Sequence, residues 1–190
     1  MTRQISLRDH VERVVALDEA SRRLLESLDP VRSLGRRQEL KERVPVAVYV
    51  VSGLLRLRFV DRTGNDRTFD FALEGWWIAD WASFFLGKPP LLTLETVEES
   101  QVVVLPLEAY LRIVSEPGPL GVYFRTVFQR IAAAGQYRRY LTSVSSGEEM
   151  YENFVQQYPE FLQRVPQYML ASFLGFTPEF LSKIRKKRAR

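Results

Sequence analysis

Residues Val165–Lys187 read VPQYMLASFLGFTPEFLSKIRKK. Ala171 stands where two helices must approach closely, and Gly175 follows four residues later, where the chain must turn. Leu170, Leu174, Phe176, Leu181 and Ile184 fill the positions that seal such a pair together. Thr177-Pro178-Glu179 opens the second helix. Thr177 is the N-cap, Pro178 takes the first helical position, where it loses no hydrogen bond, and Glu179 places an acid in the first turn. The layout is that of a helix-turn-helix ending in a basic run.

The second helix divides into two faces. At about 100° per residue from Pro178, Ser182, Lys186, Glu179 and Lys183 fall at about 40°, 80°, 100° and 140°, while Phe180, Ile184 and Leu181 fall at about 200°, 240° and 300°. One side is polar and basic and the other apolar. A helix that docks on its partner by one side and enters a major groove by the other needs this division. The alternative is an ordinary αα-hairpin whose charges face water.

Composition narrows the classes. The chain has 190 residues and is 46% hydrophobic, enough for a sizeable core in one or two domains. With no Cys, it offers no disulfide, thiolate zinc site or iron–sulfur cluster. Its one His, His10, is expected at the surface and leaves a haem or multi-histidine metal site without ligands. No apolar run approaches the roughly 20 residues that span a bilayer. The N-terminus, MTRQISLRDHVERVV, lacks the apolar stretch of a secretory signal, and a cytoplasmic protein is expected. The net charge of +4 is uneven: residues 183–190, KIRKKRAR, hold six Lys or Arg and no acid, so the remainder is slightly acidic. A basic end that continues a candidate recognition helix points to an anionic partner, duplex DNA first.

Upstream, residues 5–28 read as helix, ended by Pro30. Residues 45–110 carry short strand signals: VAVYVVS (46–52), LLRLRFV (54–60), RTFDFA (67–72), LLTLETV (91–97) and QVVVLP (101–106). Ser52-Gly53 and Asp61–Asp66 supply turns. Leu55, Leu57 and Phe59 alternate with Arg56 and Arg58, as in a strand with one wet face. Strands at this spacing suggest a sandwich or jelly roll. Helix resumes at 107–115, breaks at Pro117-Gly118-Pro119, and continues from about 120 to 143. There Leu120, Phe124, Val127, Ile131, Ala134 and Leu141 follow 4-3-4-3 spacing, interrupted by Arg138. That seam packs on the sandwich or pairs with a second copy. A shorter helix, 148–158, leads into the terminal motif.

A sandwich, a long helix and a terminal helix-turn-helix, in that order, resemble the catabolite activator/FNR (Crp/Fnr) family of bacterial transcription regulators. More narrowly, the chain is similar to the short members of that family common in Bacteroidetes. The matching residues are Val51-Ser52-Gly53-Leu54-Leu55-Arg56, Gly75-Trp76-Trp77-Ile78-Ala79-Asp80 with Ser83-Phe84, Gly87-Lys88-Pro89, Glu95–Ser100, and Gln163 through Lys187. The resemblance implies an α+β fold in three parts. Residues 1–116 would be a jelly-roll (double-stranded β-helix) domain of the cyclic-nucleotide-binding type, 117–146 a dimerisation helix, and 147–190 the helix-turn-helix. It implies a DNA-binding regulator that acts as a homodimer on palindromic operators, with RNA polymerase as a further partner and no enzymatic activity. The family's base-reading positions fall on Pro178, Glu179, Ser182 and Lys183. Glu179 would accept from a cytosine amino group and Lys183 donate to guanine. Thr177 caps the helix, and Arg185, Lys186 and Lys187 suit phosphates.

Relatives that bind a cyclic nucleotide carry Gly-Glu and then Arg-Ser/Thr-Ala in the phosphate loop. Both are missing here. From Phe69 to Gln101 Lys88 is the only cation, beside six acids: Asp70, Glu74, Asp80, Glu95, Glu98 and Glu99. Burying a phosphodiester without a paired donor is costly. No cofactor is therefore expected. The aromatic residues Trp76, Trp77, Trp81 and Phe84, with Asp80 and Lys88, are expected as core and lid, or as a repurposed pocket for a neutral or cationic ligand. The competing function is a sensor or protein-interaction module that keeps the fold without binding DNA. An enzyme would need several His or a nucleophile pair that the chain lacks.

Overall fold

The computed structural model describes residues 4–28 and 30–188. In chain order its elements are α1 (Leu7–Glu12), α2 (Glu19–Glu26), β1 (Arg32–Leu34), β2 (Glu39–Leu40), β3 (Val46–Ser52), β4 (Leu55–Val60), β5 (Asp66–Ala72), β6 (Trp77–Ile78), α3 (Trp81–Leu86), β7 (Thr93–Thr96), β8 (Ser100–Pro106), α4 (Leu107–Ser115), α5 (Pro119–Val144), α6 (Gly147–Gln157), α7 (Phe161–Arg164), α8 (Gln167–Leu174) and α9 (Pro178–Arg188). The last two residues of the basic run lie outside the described residues. Two compact units form. One holds the chain up to Phe59 with Asp70–Phe128; the other holds Val60–Phe69 with the chain from Gln129 onward. Helix α5 contributes its first part to one unit and its second part to the other.

The first unit is built on two antiparallel four-stranded sheets, ordered β1-β8-β3-β6 and β2-β7-β4-β5. Val48 and Val50 of β3 pair with Val104 and Val102 of β8. These four join Leu55, Leu57, Ala72 and Leu94 of the other sheet in one buried core. β3 is apolar at nearly every position because both its faces are covered. Val48 and Val50 point into the core between the sheets. Tyr49, fully buried, lies on the other face, 5.4 Å from the His10 ring and 5.3 Å from Trp77. At the β3–β4 turn Gly53 has φ +100°, and a Cβ there would come within 2.7 Å of the Glu99 carbonyl oxygen, so only glycine fits.

Several sequence expectations are corrected here. The single N-terminal helix is two. Asp18 restarts the chain as an N-cap, accepting from the Ser21 N–H at 2.7 Å, and a capping side chain offers the backbone an alternative to continuing α1. β1, β2, β6, α3 and α7 are short elements that the sequence reading leaves out. Arg56 is not on a wet face. It is 4% exposed and holds both carboxylate oxygens of its cross-strand partner Glu95 at 3.2 Å. Arg58 Nε reaches Glu95 at 2.7 Å, and Arg58 also pairs with Glu39. Charged side chains therefore form a paired row across one face of the second sheet. His10 is half-buried rather than on the surface, its Nδ1 2.7 Å from the Tyr123 hydroxyl.

The long-helix seam also turns inward at its start. Leu120, Phe124 and Val127 are buried within the chain's own first unit, where Phe124 meets Trp77 and Tyr110 edge-on. These three, assigned with Ile131, Ala134 and Leu141 to the dimer helix, are therefore packed within the chain itself. Farther along α5, Ile131 and Leu141 are half-buried and Ala134 is exposed. Arg138, the interruption in the spacing, lies over the Phe173 ring at 5.1 Å, a cation–π contact within the second unit.

Candidate nucleic-acid interface

The second unit is a small helical core that presents α9. Tyr151 and Val155 of α6, Phe161 of α7, Met169, Leu170 and Ala171 of α8, and Leu181 and Ile184 of α9 are all buried. Ala171 of α8 and Leu181 of α9 have no exposed surface, and the two helices pack on each other. Gly175 ends α8 in the left-handed conformation, φ +76°. The Phe176 N–H returns to the Ala171 carbonyl at 2.8 Å and the Gly175 N–H to Ser172 at 3.1 Å, the paired closure of a Schellman motif. The Thr177 hydroxyl accepts from the Phe180 N–H at 3.2 Å, and Pro178 is the first helical residue. Gly175, Thr177 and Pro178 thus close one helix and open the next as the sequence expects.

The tip of the β4–β5 hairpin, Val60–Phe69, belongs to this unit. Its turn is held by Asp61, which accepts from the Thr63 N–H (2.9 Å) and hydroxyl (2.6 Å), the Asn65 N–H (3.0 Å) and Arg67 Nε (2.7 Å). These donors, the Thr63 hydroxyl first and Arg67 next, hold the Asp61 carboxyl far below the usual carboxylate range. From this braced turn the Thr68 N–H donates to Ser172 Oγ of α8 at 2.9 Å.

Of the eight residues proposed for DNA contact, Thr177, Pro178, Glu179, Lys183, Lys186 and Lys187 are exposed; Ser182 and Arg185 are half-buried. The Glu179 carboxyl is held below its ordinary value by its own backbone N–H, in the first turn of α9, and by the Thr177 hydroxyl. Two features were not legible. Glu148, in the first turn of α6, binds Lys187 Nζ at 2.7 and 3.0 Å and raises that ammonium's pKa. Phe180, expected on the packed side, is 42% exposed. A groove of about 460 Å³ runs here, lined by Glu148, Phe180, Lys183, Ile184, Lys186 and Lys187. Glu148 is 39 residues from its partner, and only the packing of α6 on α9 brings them together.

The residues proposed for a ligand pocket in the first unit have separate roles. Trp77 is buried and donates its Nε1–H to the Tyr123 hydroxyl at 2.9 Å. Phe84 is buried among Trp81, Phe85 and Tyr110. Trp81, half-buried, stacks on Phe85 at 5.7 Å and meets Phe128 at 5.2 Å. The Asp80 carboxylate caps α3 through the Ser83 N–H and takes the Leu91 and Leu92 N–H groups at 2.8 and 3.2 Å. Trp76 and Lys88 are exposed. The aromatic set thus joins α3, α4 and α5 into one core, and the acid among them serves the backbone. Among the described residues no group of His, Asp and Glu could hold a metal ion, and no helix is long and apolar enough to cross a membrane.

No protein-family model matches the chain, and no curated protein matches it. Solved structures do. A protein assigned to the Crp/Fnr family of transcriptional regulators from Eubacterium rectale superposes with a TM-score of 0.66 at 14% identity, covering 90% of this chain and 83% of the other. A CooA variant from Carboxydothermus hydrogenoformans gives 0.67 at 13%, covering 90% and 79%. The c-di-GMP-responsive global regulator CLP of Xanthomonas campestris gives 0.63 at 12%, covering 90% and 92%. At such identities the likeness is one of fold.

Proposed function

We propose that this chain, which has the fold of the Crp/Fnr-family regulators, is a sequence-specific DNA-binding transcription regulator. The observation that carries the reading is the division of α9. Leu181 and Ile184 are buried against the rest of the unit, while Glu179, Lys183 and Lys186 stand exposed along the opposite side and Lys187 at its border, beside α6. A helix so anchored presents two base-reading side chains, one acceptor and one donor, from its N-terminal half, followed by cations for phosphates.

Palindromic operators read by a homodimer follow from the same reading. Because Leu120, Phe124 and Val127 are committed to the chain's own core, the surface offered to a second copy is a different stripe of α5. Ala133, Tyr137, Tyr140 and Val144 keep 4-3-4 spacing and are all exposed, with Tyr137 and Tyr140 stacked at 6.4 Å. Such a regulator works in the cytoplasm and acts through RNA polymerase. The sandwich does not take cAMP in this reading, since Asp80 and Glu95 are engaged within the protein and Lys88 is the only cation between Phe69 and Gln101. Selection of genomic fragments by the purified protein, beside the Glu179→Ala/Lys183→Ala variant, tests the proposal. A palindromic motif enriched by wild type alone supports it. Equal, motif-free recovery with both reduces α9 to a polycation and defeats it.

A further inference from the structure

Phe180 has no role in the reading above, and the sequence places it on the packed side of α9. The structure leaves it 42% exposed, while Leu181 and Ile184 on the same helix are 0% and 6% exposed. It is also held. Its ring meets Phe176 edge-on at 5.2 Å, and it rests on Gly147 so closely that a Cβ there would lie 2.8 Å from Phe180 Cε1. One side of the ring is therefore packed against α6 and the α8–α9 turn, and the other faces solvent beside Lys183 and the groove next to α9. It stands in the first turn of α9, directly after Glu179. Base edges are reached from this end of a recognition helix.

A phenyl ring offers no hydrogen bond to a phosphate or to a base edge. The feature of the major groove that complements it is the C5 methyl of thymine. Resting on the DNA-binding reading, we infer that Phe180 is a specificity residue. It reads a thymine methyl in each half-site, next to the base read by Glu179. The Phe176–Gly147 seat fixes the ring, so the contact selects a position rather than adding general stickiness. A methyl group brought from water into apolar contact gives about a fourfold preference, the ~0.8 kcal/mol of one buried carbon.

The test changes the DNA before the protein. With the operator obtained by selection, each thymine is replaced in turn by deoxyuridine, which removes only the methyl, and affinity is measured with the full wild-type chain. One thymine in each half-site should lose about fourfold in affinity on demethylation. The same replacement should be neutral with Phe180→Ala, and 5-methylcytosine at that position should partly restore wild-type binding. Uniform insensitivity to uracil overturns the inference while the operator stands. So does equal sensitivity in Phe180→Ala. Failure to select any operator overturns the regulator reading, and this one with it.

Discussion

Replacing Glu148 with Gln should make the protein bind DNA more tightly and with steeper salt dependence. Lys187 is a candidate phosphate contact, yet its Nζ is held by both Glu148 oxygens at 2.7 and 3.0 Å. The pair is open to water, the side chains 71% and 49% exposed, so it adds little stability, yet it occupies the ammonium and places a negative charge beside the proposed binding face. Gln keeps the size and removes the charge. If Lys187 is then free to displace one more counterion per half-site, the slope of log K against log salt steepens by about 0.9 for each half-site. The advantage over wild type should therefore shrink by about 3.5-fold per half-site between 50 and 200 mM salt. Fluorescence anisotropy with a labelled duplex across that range measures both quantities. Lys187→Gln should cancel the effect in the Glu148→Gln background and do little in the wild type. A slope unchanged in Glu148→Gln, or the same gain in the double variant, would refute the argument that this pair restrains the interface.

Other expectations concern stability. Leu181→Ala removes a fully buried side chain from the α8–α9 contact and should cost about 2–5 kcal/mol, seen as a lower urea midpoint. Glu95→Gln takes the carboxylate away from two guanidiniums, one of them almost fully buried, and should cost about 3–5 kcal/mol; Arg56→Met/Glu95→Leu should recover most of it in the same denaturation assay. Asp61 has its pKa depressed in the folded hairpin tip. Its contribution is therefore present above the unfolded value of about 4 and is lost as pH falls through the folded value. Asp61→Asn should flatten that part of the acid unfolding curve while leaving stability near neutral pH lower than wild type.

The helix-turn-helix was legible because its determinants are local. Thr177, Pro178, Gly175 and Ala171 each act within one or two turns, and each does in the structure what its type allows. The longer strands were legible for the same reason, since alternation and turn residues mark them one by one. What escaped depends on groups far apart in the chain. Arg56 reads as solvent-facing until Glu95 is set opposite it, and Lys187 reads as free until Glu148 arrives. A 4-3-4-3 seam says that a helix has an apolar side, not what covers it; for Leu120, Phe124 and Val127 the cover is the chain's own sandwich unit. Phe180 failed differently. A wheel drawn at regular spacing groups it with Ile184, but it lies at the border of the buried arc, with its ring resting on Gly147 of α6.

The division of α9 also bears on how such a protein can change over generations. The side chains buried in the unit, Leu181 and Ile184, are not those proposed to read a sequence, Glu179 and Lys183. Substitutions at the second pair remove no buried contact, so they should leave folding nearly untouched and, if α9 reads DNA as proposed, redirect binding. On the proposed reading, a lineage carrying this helix could drift from one operator to another through intermediates that all remain folded. Phe180 is the point where that freedom would narrow, because its ring is shared between the proposed reading side and the seat on Gly147. Changes there would be tied to changes in α6, and the two positions would be expected to vary together.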